Sequence, residues 1–343
     1  MCLIMRTISA GKNEEGQRLT RVLSKYLRTA PDSFLYRMLR KKNIVLNGRK
    51  ASGKEILQSE DEIRIYMSED TILKFGGPVL NQNAEKDTDH DIENDSLDKI
   101  IIYEDEQLIM VNKPAGMLSQ KSKDTDESLI DLIIAHMKSN GELSDTQMTT
   151  FRPGLVSRLD RNTSGIIIAG KTLASLQELN NTGKEHRLNK YYIALVEGEI
   201  TESQFLAGYW TKDNQRNKVF ITQTPSEGAS RVKTAVYPLS SGTDYLSGKT
   251  ASCVRIELLT GKGHQIRAHL ASAGHPLIGD VKYGADRTAF RQGHMLHAYE
   301  ISFPDGCIPA EATLAYLNGK KFKAPVPEDF KKALDAFHIK KEY

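Results

Sequence analysis

The first 66 residues carry two helical patterns of apolar residues followed by two strand patterns. Apolar side chains three and four positions apart form a first set, Leu19, Val22, Leu23, Tyr26 and Leu27, and a second set, Phe34, Leu35, Met38 and Leu39. Residues 43–49 have the pattern of a strand that enters a turn, and residues 61–66 alternate as a strand does. This order predicts a small α+β domain over residues 11–67.

Strand patterns prevail after residue 99. Residues 100–103 and 108–111 flank a polar turn and predict a hairpin, and the apolar run 166–169 predicts a buried strand. Residues 255–270 predict a strand, a glycine turn and a helix that ends at Gly274. We therefore expect a second domain over residues 99–331.

A polar segment, residues 68–98, separates the two predicted domains. Residues 67–99 hold three basic and nine acidic side chains without apolar periodicity, which is typical of a solvated linker with little structure of its own. An acidic loop inside one domain is the alternative, but loops longer than about 15 residues are uncommon within compact units. We expect a linker.

Composition excludes several classes of protein. The chain has 343 residues, of which 39% are hydrophobic and 27% charged, so we expect a globular fold with a real core rather than a disordered chain. No apolar run approaches the roughly 20 residues that a membrane span needs. The three cysteines lie far apart without C-x-x-C spacing, which argues against disulfides and thiolate metal sites and favours the reducing cytoplasm.

Charge is distributed unevenly, although the net charge is only +3. Residues 11–66 hold 13 basic and seven acidic side chains, an excess that suits phosphate contacts but equally suits solvated helix faces. The G-x-R-L-x-x-x-L pattern at residue 16, the basic run at 40–42 and the Asn47-Gly48 turn together resemble an S-four-like RNA-binding domain. The resemblance implies RNA contacts through Arg37, Arg40, Lys41, Lys42 and Arg49.

A polar loop, residues 152–165 (RPGLVSRLDRNTSG), precedes the predicted buried strand. Asp160 stands between Arg158 and Arg161, and nearby guanidinium groups keep a carboxylate ionised. An ionised carboxylate suits a nucleophile or a base. A structural aspartate that caps a turn is the alternative, and composition alone favours that alternative.

Two further segments hold candidate side chains. On the predicted helix, His264 and Arg267 share a face beside the buried stripe of Ile266 and Leu270, so that the arginine can point into a cleft. In the strand 190–196, alternation sets Tyr192 on the face opposite its neighbours. Taken alone, a tyrosine in a strand is more often part of the core than catalytic.

Together these segments resemble the RluA-type pseudouridine synthases. The motifs S-R-L-D-R-x-T-S-G, K-x-Y-x-A, L-x-T-G-K-x-H-Q-I-R-x-H-L and G-D-x-x-Y-G stand in family order between residues 99 and 330. The resemblance implies an enzyme that detaches uracil from a uridine in RNA, turns it and rejoins it through a ring carbon. It implies Asp160 as the catalytic aspartate, Arg267 as its ion-pair partner, Tyr192 as the side chain that stacks on the base, and Arg158 as the one that helps to displace the uridine.

The resemblance also implies an architecture and partners. We expect an α+β pseudouridine synthase fold with a mixed, mostly antiparallel central sheet and flanking helices, joined to the small α+β N-terminal RNA-binding domain. Structured RNA is the expected partner, most commonly large-subunit ribosomal RNA, with transfer RNA left open. We expect a monomer that needs no cofactor, no nucleotide and no metal. Whether the aspartate attacks the sugar or the base stays open.

The chain departs from the family pattern at two places. Ser157 stands where the family usually has histidine, and Lys262-Gly263 where it often has Arg-Thr or Arg-Ser. Neither change removes a catalytic candidate. Lysine keeps the positive charge but lacks the bidentate geometry of arginine, so substrate choice is the property that these positions affect.

Two other functions fit parts of the sequence. A metal hydrolase is suggested by late histidines, among which His294 and His297 are spaced to share a helix face, but no H-E-x-x-H motif is present. A non-catalytic RNA chaperone or ribosome assembly factor would need only the basic surface. The presence of Asp160, Tyr192 and Arg267 together argues against it.

Overall fold

The computed structural model describes residues 4–76, 95–123, 125–213 and 215–343. Contacts between residues divide the chain into two compact units. The first unit consists of Met1–Asn94, Ile133–Pro153 and Thr172–Ala174, and the second of Asp95–Leu132, Gly154–Lys171 and Ser175–Tyr343.

An antiparallel sheet and two helices form the core of the first unit. The strands are β1 (Ile4–Ser9), β2 (Ile44–Leu46), β3 (Arg49–Lys50) and β4 (Glu62–Met67), in the order β1-β4-β2-β3. Helices α1 (Leu19–Tyr26) and α2 (Asp32–Arg40) bury their apolar stripes, in which Leu23 and Leu35 have no exposed surface. Such burial stabilises helices that would be marginal alone in water. The two predicted helices and the two predicted strands are confirmed.

The apolar pattern did not indicate strand β1, because a charged residue interrupts it. Arg6 is only 2% exposed in this strand. Its guanidinium pairs with the carboxylate of Glu69 and donates a hydrogen bond to Tyr26 Oη at 3.3 Å. A buried charge is tolerated when it is paired and hydrogen-bonded, and both conditions hold here.

Both ends of the predicted linker are helical, which its polar composition did not indicate. Helix α3 (Glu69–Lys74) begins after Ser68, whose Oγ accepts a hydrogen bond from the Thr71 amide at 3.4 Å. This N-cap satisfies one of the free amides of the first turn. Helix α4 (Asp95–Asp98) lies at the other end. Residues 77–94, the middle of the predicted linker, lie outside the described residues.

One large mixed sheet forms the centre of the second unit. Its strands are β5 (Ile101–Glu104), β6 (Leu108–Lys113), β7 (Gly154–Leu155), β8 (Ser164–Gly170), β9 (Asn189–Glu197), β10 (Gln204–Asp213), β11 (Lys218–Thr222), β12 (Ser230–Asp244), β13 (Lys249–Leu258), β14 (Leu296–Ser302) and β15 (Lys321–Lys323). The main order is β11-β10-β12-β13-β9-β14-β8-β6-β5, with β15 on β14 and β7 on β8. Strands β14 and β8 run parallel, and the other neighbours are antiparallel. The predicted mixed, mostly antiparallel sheet is confirmed, and so is the hairpin of β5 and β6.

The remaining helices flank these strands in sequence. They are α5 (Leu129–Ser139), α6 (Asp145–Met148), α7 (Leu173–Lys184), α8 (Gln265–Ser272) and α9 (Glu328–Ala336). Helix α8 is the helix predicted after the glycine turn, and Gly274 follows its end at φ +87°. Short 3-10 helices cover Val281–Tyr283 and Ala315–Leu317.

Strand β9 lies between β13 and β14 and is covered on both faces. Tyr192, Ala194 and Val196 belong to one apolar cluster, and Ile193 and Leu195 to another. The predicted alternation of Tyr192 against its neighbours is therefore confirmed. The second cluster also contains buried Phe337 and Ile339, so the core extends beyond residue 331, where we expected the domain to end.

The parallel contact between β8 and β14 depends on a glycine. Gly165 pairs with Ala298, and its own backbone has φ +116°. A Cβ atom on residue 165 would overlap the Ala298 carbonyl oxygen. Only glycine adopts this backbone conformation without a steric penalty. The close approach places the end of the polar loop 152–165 at the middle of the sheet.

Candidate active site

Asp160 lies in the loop between β7 and β8, and hydrogen bonds on both sides of it fix the loop. The Asp160 carbonyl oxygen accepts a bond from the Thr163 amide at 3.0 Å. Ser119 Oγ accepts from the Leu159 amide at 3.1 Å and donates to the Leu159 carbonyl at 2.8 Å. The backbone around the carboxylate is thus held independently of any substrate.

A buried lysine joins this loop to the loop that follows β6. Lys113 has no exposed surface, and its Nζ donates to the carbonyl oxygens of Pro114, Met117 and Arg161 at 2.9, 2.9 and 3.1 Å. Burial lowers the pKa of Lys113 to about 7, and the negative charge of Asp160 opposes that decrease. Because three carbonyl acceptors match the three protons of an ammonium group, we assign the charged form.

Arg267, in the first turn of α8, lies between two carboxylates. Its Nη1 donates to Asp160 Oδ2 at 2.9 Å. Its Nε and Nη2 donate to Asp280 Oδ2 and Oδ1 at 2.7 and 2.8 Å. Asp280 is 2% exposed and Arg267 is 7% exposed, so this bidentate pair is shielded from water. The structure therefore places Asp160 and Arg267 together, and their roles in catalysis stay a prediction.

The charges around Asp160 favour its ionised form. Burial raises the pKa of its carboxyl, but the positive charges of His264 and Arg267 and the hydrogen bond from Arg267 outweigh that effect, and the pKa lies below its ordinary value. Burial and the charge of Arg267 lower the pKa of His264, although Asp160 opposes them. At neutral pH, Arg267 is therefore the cation that holds Asp160 ionised.

Asp160 opens into a cleft of about 860 Å³ in the second unit. Its side chain is 29% exposed, and among the described residues Oδ1 has no hydrogen-bond partner, so this oxygen is free to meet a ligand. The side chains around it that bear on chemistry are Arg158, Lys190, Tyr192, Lys262, His264 and Arg267. A cleft of this size accommodates a nucleotide-sized group.

Tyr192 lies in the wall of the cleft beside Asp160. The side chain is 8% exposed, and burial first, then the charge of Asp160, raises the pKa of its phenol. The hydroxyl therefore stays protonated at neutral pH. The structure thus brings Asp160, Arg267, Tyr192 and the exposed Arg158 to one cleft.

The five basic residues predicted to contact RNA lie in the first unit and do not line this cleft. All five side chains are exposed, and none forms an ion pair among the described residues. The five residues are Arg37, Arg40, Lys41, Lys42 and Arg49. Arg37 lies over the ring of Phe34, at 5.4 Å from its centroid.

Sequence reasoning gave no role to several residues around Arg267. Asp280 and Tyr283 stand in the quoted motif G-D-x-x-Y-G, and that motif was the available signal. The guanidinium carbon of Arg267 lies 5.0 Å from the centroid of the Tyr283 ring, a cation–π contact. Lys262, one of the departures from the family pattern, lies with its Nζ 5.9 Å from the centroid of Trp210.

The late histidines do not form a metal site. Among residues 4–76, 95–123, 125–213 and 215–343, no three His, Cys, Asp or Glu side chains are arranged to hold a metal ion. The proposed helical pairing of His294 and His297 is wrong, since His297 lies in strand β14. His294 bonds Thr163 Oγ1 at 2.7 Å and His297 bonds Ser164 Oγ at 3.0 Å, as expected of histidines that satisfy local hydrogen bonds.

No helix in the described part of the chain is long and apolar enough to cross a membrane.

Comparisons with known proteins agree with this site. A family model described as RNA pseudouridylate synthase matches residues 107–272. An uncharacterized RNA pseudouridine synthase of Mycoplasma genitalium is 33% identical over 299 residues, which cover 85% of this chain and 87% of the relative. The ribosomal large subunit pseudouridine synthase C of Pasteurella multocida is 27% identical over 360 residues, covering 98% and 95%.

A solved structure shares the fold. Human RNA pseudouridylate synthase domain containing 4 matches with a TM-score of 0.55 and 17% identity, covering 73% of this chain and 97% of that one. Together, the fold and the sequence matches define an RNA-modifying isomerase. The chain belongs to the RluA-type RNA pseudouridine synthases. The family, the enzyme class and the fold expected from the sequence motifs are thereby confirmed.

Proposed function

We propose that this synthase modifies uridines in large-subunit ribosomal RNA, with Asp160 as the catalytic carboxylate. The observation that carries the proposal is the Asp160 side chain itself, which lines the cleft, is ion-paired at Oδ2 to Arg267 at 2.9 Å, and has no hydrogen-bond partner at Oδ1 among the described residues. Relatives such as the Pasteurella multocida protein are named for the large ribosomal subunit, which supports the choice of RNA. We expect an enzyme that modifies ribosomal RNA to work in the cytoplasm, where the ribosomes of organisms such as Pasteurella multocida are assembled.

Asp160 would act on the bond between ribose and uracil. An ionised carboxylate can attack an electrophilic carbon or stabilise cationic character on the sugar while the base is detached. The Arg267 ion pair keeps the carboxylate charged, because protonating it would forfeit that pair. In both versions, nucleophilic attack or charge stabilisation, Asp160 would use Oδ1, the oxygen that Arg267 does not contact.

Tyr192 and Arg158 would handle the displaced nucleotide. A uridine in folded RNA must leave its stack before its ring can turn, which costs a few kcal/mol. The Tyr192 ring in the cleft wall offers a stacking surface, and the exposed Arg158 carries a charge suited to the phosphate backbone. Completing the new carbon bond releases a proton from the ring carbon, and the protonated Tyr192 hydroxyl would take it up only while passing its own proton to a second acceptor.

The first unit would bind RNA through its exposed basic side chains. Arg37 and Arg40 lie in helix α2, Lys41 and Lys42 follow its end, and Arg49 begins strand β3. None of these five has an ion-pair partner among the described residues. Cations that no carboxylate neutralises are available to phosphates, where they raise affinity without reading sequence. This role rests on the S-four-like pattern and on these exposures.

Mapping pseudouridines in cells tests the choice of RNA. Ribosomal and transfer RNA from cells with and without the gene would be compared at single-nucleotide resolution. We expect one or a few large-subunit positions to lose the modification and to regain it when wild-type protein, but not the Asp160→Ala variant, is supplied. Loss confined to transfer RNA would overturn the ribosomal assignment, and rescue by the variant would favour a non-catalytic assembly factor.

A further inference from the structure

His264 has an unusual backbone at the edge of the cleft. It precedes helix α8 with φ +55° and ψ +13°, in the left-handed region that residues other than glycine seldom adopt. Strain of this kind persists where the surrounding structure demands one side-chain position. The His264 side chain is 18% exposed and lines the same cleft as Asp160.

Hydrogen bonding assigns the tautomer of this histidine. Tyr283 Oη accepts a hydrogen bond from the Val219 amide at 3.0 Å, and it lies 3.0 Å from His264 Nδ1. Among the described residues, Nδ1 is the acceptor within reach of the single phenolic proton. The phenol therefore donates to Nδ1, and the imidazole proton resides on Nε2, since a neutral ring carries one proton.

The Nε2–H group faces Asp160 without bonding to it. Nε2 lies 3.7 Å from Asp160 Oδ2, beyond hydrogen-bond distance. A donor and a carboxylate acceptor thus stand side by side in the cleft. A single ligand atom that engages both must accept one hydrogen bond and donate another, as the oxygen of a hydroxyl does.

We propose that His264 Nε2–H donates a hydrogen bond to the ribose 2′-hydroxyl of the target uridine, whose own proton is donated to Asp160. The inference rests on the proposed function, which sets Asp160 at the sugar. The 2′-hydroxyl is attached to the carbon next to the one that loses the base, so it is the nearest group of uridine with both capacities. Contact with this hydroxyl distinguishes RNA from DNA.

The test combines changes in the protein with the deletion of one substrate atom. The probe is a synthetic large-subunit RNA fragment that contains the mapped uridine, made with either ribose or 2′-deoxyribose at that position alone. His264→Asn keeps a side chain that tolerates the left-handed backbone but reaches only as far as Nδ1. His264→Gln places an amide N–H near the position of Nε2 and is the matched control.

Single-turnover rates at saturating enzyme then decide between the outcomes. For wild type, we expect the 2′-deoxy substitution to slow isomerisation about 100-fold, because removing the hydroxyl removes two hydrogen bonds, one from His264 and one to Asp160, each worth about 10-fold. His264→Asn should slow the ribose substrate about 10-fold and lose only about 10-fold more on the 2′-deoxy substrate, whereas His264→Gln should recover most of the rate and of the 2′-hydroxyl dependence. The proposal would be overturned if the rate losses from His264→Asn and from the 2′-deoxy substitution multiplied independently. It would also be overturned if wild type isomerised the ribose and 2′-deoxy substrates at the same rate. No isomerisation of the ribose fragment by wild type would instead count against the proposed substrate.

Discussion

Arg267 and Asp280 form a buried bidentate ion pair that aims the remaining nitrogen of the guanidinium at Asp160. Two of its nitrogens contact the two Asp280 oxygens at 2.7 and 2.8 Å, which leaves Nη1 to contact Asp160 at 2.9 Å. A planar guanidinium held at two points has its third direction fixed. Asp280 thus sets the position of a charge that acts on Asp160, although it makes no contact with Asp160 itself in the described contacts.

Replacing Asp280 with asparagine tests this arrangement. Asp280→Asn keeps the shape but removes the charge that orients Arg267, so we expect the single-turnover rate to fall about 100-fold while RNA affinity is retained. The free energy of unfolding should fall by about 3 kcal/mol, because the buried Arg267 cation loses the more deeply buried of its two carboxylate partners. Asp286→Asn, which removes an exposed carboxylate paired with Lys249, is the control and should change neither quantity. An unchanged rate in Asp280→Asn would contradict the positioning role.

The pH dependence of the rate reports on the Asp160 ion pair. The pKa of Asp160 lies below its ordinary value, so the ionised form persists as pH falls and wild type should show no acidic loss from this group between pH 8 and about 5. Arg267→Gln removes a charge that lowers the pKa while burial still raises it. The pKa should therefore rise, and an acidic limb should move toward neutral pH.

Single-turnover rates from pH 5 to 8 measure this shift. Arg255→Gln is the control, since Arg255 contacts the Tyr191 ring and Glu300 rather than Asp160. Identical profiles for wild type and Arg267→Gln would mean that Asp160 is not the group whose ionisation governs the reaction.

Three buried histidines make folding stability depend on pH. Burial lowers the pKa values of His269, His294 and His297 to about 4 each, against about 6.5 in an unfolded chain. Between these values the unfolded chain binds more protons, so this contribution to stability is complete above pH 6.5 and is lost as pH falls toward 4. At pH 5.5 we expect a loss of about 1 kcal/mol for each histidine.

Denaturant unfolding at pH 7.5 and 5.5 checks this dependence. His297→Gln should reduce the difference in unfolding free energy between the two pH values by about 1 kcal/mol, whereas His186→Gln, at an exposed position, should leave it unchanged. A stability that does not change between these pH values would show that the histidines are not buried as neutral groups.

The exposed arginines of helix α2 should contribute affinity rather than rate. In the double variant Arg37→Gln/Arg40→Gln, we expect weaker binding to the ribosomal fragment and a slope of log K against log salt smaller by about 2, since two phosphate contacts are lost. The rate at saturating RNA should not change. Lys332→Gln, an exposed lysine in helix α9, is the control. An unaltered salt slope would remove these residues from the RNA-binding surface.

The elements that the sequence predicted well are those set by local spacing. The apolar stripes of α1 and α2 and the alternation around Tyr192 determine which side chains are buried, and periodicity reveals them directly. The apolar pattern did not predict strand β1, because the buried Arg6 interrupts that pattern and the carboxylate that neutralises it, Glu69, lies 63 residues away in the sequence. Helix α3 was not predicted either, because its N-cap residue Ser68 stands at the start of an acidic segment without apolar periodicity.

The candidate site was predictable only in part, for a similar reason. Family motifs indicated Asp160, Arg267 and Tyr192, and the fold brings all three to one cleft. The orientation of Arg267 depends on Asp280. The tautomer of His264 depends on Tyr283, whose hydroxyl oxygen accepts a hydrogen bond from a backbone amide of β11. Such relationships exist only after distant segments have packed together, so no spacing within one segment indicates them.

Asp160→Asn tests the central claim most directly. The substitution preserves size and shape but removes the negative charge, and the measurement is the pseudouridine formed in the mapped ribosomal fragment during a single turnover at saturating enzyme. We expect the rate to fall by at least about 10³-fold while the dissociation constant of the RNA changes little. Pseudouridine formed by this variant at the wild-type rate would contradict the account.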